Sequence, residues 1–253
     1  MNTRERHRTL LETLKRDKRV YVKELAEKFD VTTMTIRRDL RGLAARRIVT
    51  LVHGGAIYNE GTATIASVGV RAQVMQVAKQ KLGAYCAGLV QEGNAIFLDA
   101  GSTAMSIAEA LVNRKNIAVL TNSLAVLNIL AHSDGLQLFT MAGIYQCETH
   151  AFFGDLACRT IRGFRIDLAF LGTSGITLEA GLMSPTEYDC AIKKTLMEVA
   201  RRRVAVADHT KIGHESFLRV APVKDLSLIV TDKEADENFV TGARRQGVEV
   251  VQV

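Results

Sequence analysis

The sequence contains no C-x-x-C pair, no repeated or low-complexity segment, and no continuous apolar stretch as long as a membrane-spanning helix requires. Its first residues, "MNTRERHRTL", do not lead from a basic start into an apolar run, so no secretory leader is indicated. The expectation is a soluble, cytoplasmic protein without a membrane partner. The four cysteines, Cys86, Cys147, Cys158 and Cys190, are scattered and have no histidine at ligand spacing. That pattern argues against a zinc site or a disulfide framework and predicts buried free thiols. No metal or cofactor is called for. Apolar residues make up 47% of the 253 positions, enough to build true cores in one large domain or in a large and a small one.

Charge is unevenly placed. Residues 1–58 hold 14 Lys and Arg against 7 Asp and Glu, whereas the remaining 195 residues hold 19 against 20. The basic character therefore belongs to an N-terminal module, as expected of a polyanion-binding head joined to a body with a different task. A merely solvated basic surface is the competing explanation.

Three short helical patterns fill the first 45 residues. Leu10, Leu11 and Leu14 share one face after Thr3; Leu25, Ala26 and Phe29 share another from about Lys23; Ile36, Leu40 and Leu43 share a third from Thr32 or Thr33. So short a link between the second and third predicts a helix-turn-helix, with Val31 at the corner. With Ile36 at zero and about 100° per residue, Leu40 and Leu43 lie within roughly 40° of it, and Met34, Arg38 and Arg41 point the opposite way. Thr35 and Arg37 flank that polar side. Such a face suits a major groove: arginine pairs with guanine edges or phosphates, and threonine offers a hydroxyl and a methyl. Thr32 and Thr33 stand at the helix start, where N–H groups attract a phosphate. The alternative is a surface helix whose arginines pair with Asp39 and water. Residues 48–53 and 56–58 read as strands around Gly54-Gly55, giving a winged helix-turn-helix in which Arg46 and Arg47 meet the DNA backbone. His53 either joins them or packs within the wing.

Residues 1–58, with Thr35–Leu40 reading T-I-R-R-D-L and His53–Ala56 reading H-G-G-A, resemble the N-terminal domain of the DeoR family of bacterial transcriptional regulators. Two departures stand out: Thr32 where the family commonly has serine, and no glycine near Arg47.

Residues 59–72, small, polar and weakly patterned, read as a linker. From 73 to 253, apolar β-branched bursts at "AIFLDA", "IAVLTN", "LQLFTMAG", "IDLAFLGTSG", "RVAVADHT", "LSLIVTD" and "VEVVQV" alternate with helical patterns. This predicts a three-layer, Rossmann-like α/β domain with a mainly parallel sheet. The strands end in polar or glycine-bearing residues: Asp99, Gly101, Ser102 and Thr103; Thr121, Asn122 and Ser123; Gly143; Gly172, Thr173 and Gly175; Asp208 and Lys211. In open α/β sheets such ends border the ligand crevice. Asp99–Thr103 before a helix reads as an anion cradle or as a plain N-cap; Thr121–Ser123 repeats the pattern, and Lys193 or Lys211 supplies a countercharge. Asp99, Asp189 and Lys193 would also serve as the acid, base and stabiliser of a sugar-phosphate isomerase with an appended head, the alternative function.

This half resembles the sensor domain of the same family, related in fold to ribose-5-phosphate isomerase. Its D-x-G-T-T appears at 99–103, T-N-S at 121–123, E-A-x-V-K-R at 189–194 and D-S-S-K-F-G at 208–213. Aspartate replaces glutamate at 189, and Ala142 the first glycine of a pair. The resemblance implies a non-enzymatic regulator, a repressor of a sugar or sugar-derivative operon. It implies double-stranded operator DNA and a phosphorylated sugar effector as partners, and a homo-oligomer, dimer or tetramer.

Overall fold

The computed structural model describes residues 3–45, 48–58 and 68–253, and the chain forms two compact units, over 1–66 and 67–253. The first contains α1 (Thr3–Asp17), β1 (Arg19–Tyr21), α2 (Val22–Phe29), α3 (Thr33–Ala45), β2 (Val49–Val52) and β3 (Gly55–Tyr58). Leu10 and Leu14 from α1, Leu25 and Phe29 from α2, and Ile36, Leu40 and Leu43 from α3 are buried together with Val49 and Ala56. Each such side chain contributes about 1.5–3 kcal/mol of transfer free energy, so this apolar stripe is what positions α3. Asp30 ends α2 in the left-handed conformation (φ 51°), and Val31 packs on the core at the corner.

The wing differs from its sequence reading in two respects. The turn is His53-Gly54, because Val52 pairs with Gly55, and Gly54 takes a positive φ (75°) at the second turn position, which glycine adopts without strain. The hairpin also gains a third strand, β1, giving the order β1-β3-β2. Gly55 explains how close they lie: a Cβ there would stand 2.0 Å from the Val20 carbonyl oxygen.

The second unit begins with α4 (Val68–Gln73) and α5 (Gln76–Gly88). There follow β4 (Ala95–Leu98), α6 (Ser102–Leu111), β5 (Ile117–Thr121), α7 (Leu124–Leu130), β6 (Leu136–Thr140), β7 (Ile144–Gln146), β8 (Ala151–Phe153) and α8 (Asp155–Arg162). The chain continues through β9 (Ile166–Leu171), β10 (Gly175–Thr177), β11 (Gly181–Ser184), α9 (Glu187–Val199), β12 (Ala200–Val206), β13 (Leu218–Ala221), β14 (Leu228–Thr231), α10 (Glu237–Arg245) and β15 (Glu249–Gln252).

Seven of these strands form one parallel sheet in the order β15-β14-β12-β9-β4-β5-β6. Ile96, Leu98, Leu168, Phe170, Val204 and Val206 enter one core with α5, α6 and α7, while Phe97, Ala169, Leu171 and Ala205 enter the other with α8, α9 and α10. Alternate residues of the central strands β4, β9 and β12 are thus buried on opposite faces, the three-layer arrangement expected of doubly covered strands, whereas the edge strand β6 leaves Gln137, Phe139 and Thr140 exposed. Each of the seven apolar bursts supplies one strand. The antiparallel sheet β10-β11-β13 and the β7-β8 hairpin have no counterpart in the sequence reading, since short strands in a glycine-containing stretch carry little periodicity.

Two expectations need correction. Residues 68–72, read as linker, are helical within α4 and belong to the second unit; residues 59–67 lie outside the described residues. Cys86, Cys158 and Cys190 are buried, but Cys147 is exposed in the turn after β7, where no layer covers it. No helix among the described residues is long and apolar enough to cross a membrane.

Candidate functional sites

On α3 the polar face is formed as its spacing requires. Thr32, Thr33, Met34, Arg37, Arg38 and Arg41 are exposed, and Thr35 is half-buried. Thr32 Oγ1 accepts from the Thr35 N–H at 3.2 Å and lies 3.0 Å from Thr35 Oγ1, so these hydroxyls cap the helix start. The competing arrangement, with the arginines held by Asp39, does not occur. Asp39 is buried and takes Arg6 Nε of α1 at 2.7 Å, with His7 Nε2 3.0 Å from its other oxygen. Burial pushes this carboxyl up, and the hydrogen bonds from Arg6 and His7 more than offset that, leaving it below the ordinary carboxylate value. Among the described residues, Arg37, Arg38 and Arg41 form no ion pair. His53 is exposed at the wing tip and does not pack inside it. Arg46 and Arg47 lie outside the described residues.

In the second unit the carboxyl ends of β4 and β9 meet α9. Asp99 is fully buried: Oδ1 accepts the Ala100 N–H at 2.8 Å, and Oδ2 accepts the Gly172 N–H at 3.0 Å. Lys193 Nζ stands 3.3 Å from that Oδ2 and also donates to Asp189 Oδ2, one turn earlier on α9. Ser184 Oγ donates to the same Asp189 oxygen. Thr186 caps α9, accepting the Asp189 N–H at 3.2 Å, which orients Asp189 and Lys193 to one side. Burial pushes Asp99 up to about 6, against the attraction of Lys193. Burial disfavours the Lys193 ammonium, yet Asp189 and Asp99 together hold its pKa above the ordinary lysine value.

The neighbouring strand end is used differently. Thr121 Oγ1 donates to the Leu98 carbonyl at 2.7 Å and accepts the Ser123 N–H at 3.0 Å, while Ser123 Oγ caps α7 through Val126 N–H. These hydroxyls hold β4, β5 and α7 together, so the plain cap describes Ser123. Asn122 is buried; its amide donates to Phe152 O at 3.3 Å, and its Oδ1 has no hydrogen-bond partner among the described residues. Thr173 Oγ1 serves the backbone at Gly175 and Met183. Gly143 and Gly175 lie so close to the carbonyls of Phe153 and His214 that internal packing alone requires them. Asp208 caps the turn at His209–Lys211 through Thr210 N–H, and Lys211 is half-buried there.

Gly101 precedes α6 with no side chain capping the helix, and Ser102 is buried beside half-exposed Thr103. Two cations that strand-end reasoning misses reach this region. Arg71 of α4 places Nη1 3.5 Å from where a Gly101 Cβ would stand, and Asp189 and Asp99 attract it, partly offsetting the downward push of burial on its pKa. Lys79 of α5 is buried and donates to Arg71 O at 2.6 Å and Val74 O at 2.7 Å; burial pushes it down to about 8, with Asp208 pulling the other way. No sequence signal separates Lys79 from exposed Lys81 on the same helix. An open groove of about 310 Å³, lined by Met75, Lys81, Asp232 and Glu234 among others, includes neither Asp99 nor Lys193.

Two family models match the chain: a DeoR-like helix-turn-helix domain over residues 6–62 and a DeoR C terminal sensor domain over 74–233. Among similar proteins, the HTH-type transcriptional repressor GlcR of Bacillus subtilis is 28% identical over 99% of this chain and 96% of its own length. The transcriptional repressor AccR of Agrobacterium fabrum is 29% identical over 91% of this chain and 90% of its own. The glycerol-3-phosphate regulon repressor of Escherichia coli is 28% identical over 92% of each. Solved structures with a similar fold include ribose 5-phosphate isomerase A of Methanocaldococcus jannaschii, at 19% identity, 54% of each chain and a TM-score of 0.41.

Proposed function

This chain belongs to the DeoR family of transcriptional regulators, and on that premise we propose that it represses a sugar-related operon and is released from its operator by a phosphorylated sugar. It is a regulator and not an isomerase: its relatives over nearly their whole length are named transcriptional repressors. The observation that carries the DNA-binding reading is the set of exposed arginines on α3, none of them engaged by the one acidic residue of that helix. α3 enters the major groove with Arg38 and Arg41 foremost, Thr33 and Thr35 meet a phosphate at its start, and His53 follows the wing to the backbone.

The effector site lies at the strand ends around Asp99. Asp99 and Asp189, held by Lys193 and Ser184, accept sugar hydroxyls, and the uncapped start of α6 at Gly101–Thr103 takes the phosphate. Buried Asn122 Oδ1, an acceptor without a donor among the described residues, supports a ligand hydroxyl or water nearby. A relative named for a glycerol-3-phosphate regulon supports a phosphorylated small molecule as the class of signal. Near-complete release requires the ligand to bind the released arrangement about 5.5 kcal/mol more tightly than the DNA-bound one. Two or four copies supply paired half-sites.

The test is a thermal-shift screen of sugar phosphates on the full chain, followed by gel shifts with DNA upstream of its own operon. A stabilising ester that dissolves the DNA complex is the expected result. Lys211→Ala should keep DNA binding and lose release; loss of both in a folded variant would refute this division of labour.

A further inference from the structure

The ammonium beside Asp99 is already committed. Lys193 is shared by Asp99 and Asp189, and a shared ammonium has little attraction left for a phosphate. The guanidinium that approaches the start of α6 comes instead from outside the strand-end motifs, on the helix that opens the second unit. We infer that Arg71 is the cation that grips the effector's phosphate, and that through it the ligand acts on α4, the first described element after the segment that leads from the wing. This rests on the effector reading above.

Three observations support it. Arg71 Nη1 lies 3.5 Å from the Cβ position of Gly101, the residue whose lack of a side chain leaves the α6 N-terminus open. A phosphate seated on the N–H groups of Ser102 and Thr103 would meet both the helix dipole and a planar, forked donor suited to bidentate contact. Second, α4 is placed with care: it packs on α6, Val68 N–H donates to Glu148 O at 2.9 Å, and the Lys79 ammonium bonds the Arg71 and Val74 carbonyls. A buried lysine spent on the Arg71 carbonyl within this six-residue helix and on the Val74 carbonyl just past its end fixes where Arg71 starts from. Third, Asp99 and Asp189 attract the guanidinium without ligand, so a bound phosphate would compete for it and change the interactions of α4. Occupancy then alters the element to which residues 59–67 attach, whereas Lys193, deep on α9, has no such connection.

The experiment compares full-length wild type, Arg71→Met and Arg71→Lys, using glycerol 3-phosphate, glucose 6-phosphate, fructose 1-phosphate and N-acetylglucosamine 6-phosphate by calorimetry. Inorganic phosphate serves as competitor, and gel shift reports operator release. The expected result is at least a tenfold loss of ester affinity in Arg71→Met, with inorganic phosphate no longer competing and an operator complex that survives ester levels dissolving that of the wild type. Arg71→Lys should be intermediate, and melting temperature and ligand-free operator affinity should match wild type; lost binding in Arg71→Lys as well, at a lowered melting temperature, would mean a structural role and overturn the inference. Equal ester affinity in wild type and Arg71→Met would overturn it while leaving the sensor reading intact. Failure of the wild type to bind any of the esters would overturn the sensor reading itself, and this inference with it.

Discussion

Arg6 Nε donates to Asp39 Oδ2 at 2.7 Å, joining α1 to α3 across 33 residues of sequence. The aspartate within T-I-R-R-D-L is therefore a brace, and the arginines around it are left to face outward. Asp39→Asn should lower the stability of the first unit by about 3 kcal/mol at pH 7, because a buried guanidinium loses its counterion. The carboxyl's folded pKa lies below its unfolded value, so its contribution is complete above about pH 4 and is lost as pH falls through the folded pKa. Melting curves of wild type and variant should consequently converge as the solution is acidified; a gap that did not narrow with falling pH would contradict the brace.

Arg38→Ala should weaken operator binding by about 1–3 kcal/mol and relax preference at one base pair, if Arg38 reads a base. A phosphate contact would instead weaken all sequences equally and reduce the salt dependence by about one counterion. Titrations at two salt concentrations separate the outcomes, and an unchanged affinity would remove Arg38 from the interface.

Gly55→Ala should abolish operator binding while the second unit melts as before. The added methyl would stand 2.0 Å from the Val20 carbonyl oxygen, so β1 must leave β3, at a cost of about 3 kcal/mol in a small domain. Full DNA binding in this variant would show that the wing tolerates losing β1.

Asp99 responds to pH in the opposite sense to Asp39. Its folded pKa is pushed up to about 6, so its contribution is greatest below about pH 4 and declines as pH rises through 6. Asp99→Asn removes that titration. The melting temperature of wild type minus that of the variant should therefore fall between pH 5 and pH 7; a flat difference would mean that Lys193 holds the carboxylate ionised throughout.

Lys193→Met should destabilise the second unit by about 3–5 kcal/mol, since Asp99 and Asp189 would face each other without the ammonium they share. Thermal melts of the two units, read separately, check it: operator binding should survive.

Much of the architecture is legible in the residues because it follows from repetition. Ile36, Leu40 and Leu43 repeat at helical spacing, and most of the seven bursts from Ala95 to Gln252 are apolar on both faces, so layers on either side of a parallel sheet bury them. The candidate sites are less legible. Thr121 and Ser123 look like an anion cradle, but a buried hydroxyl is first claimed by the nearest backbone group, and here those are Leu98 O and the start of α7. Arg71 sits in a stretch with neither periodicity nor punctuation, and nothing local marks its guanidinium as directed toward Gly101.

Sequence alone thus determined the basic head, the face of α3 that meets solvent, and the strand ends where polar residues gather, since each depends on spacing within one segment. Only tertiary structure decided which charges meet: Asp39 goes to Arg6, Lys193 to Asp99 and Asp189, and those two carboxylates also attract Arg71. The reason is physical. Electrostatic pairing depends on distance and burial between groups up to about a hundred residues apart, and periodicity contains no record of either.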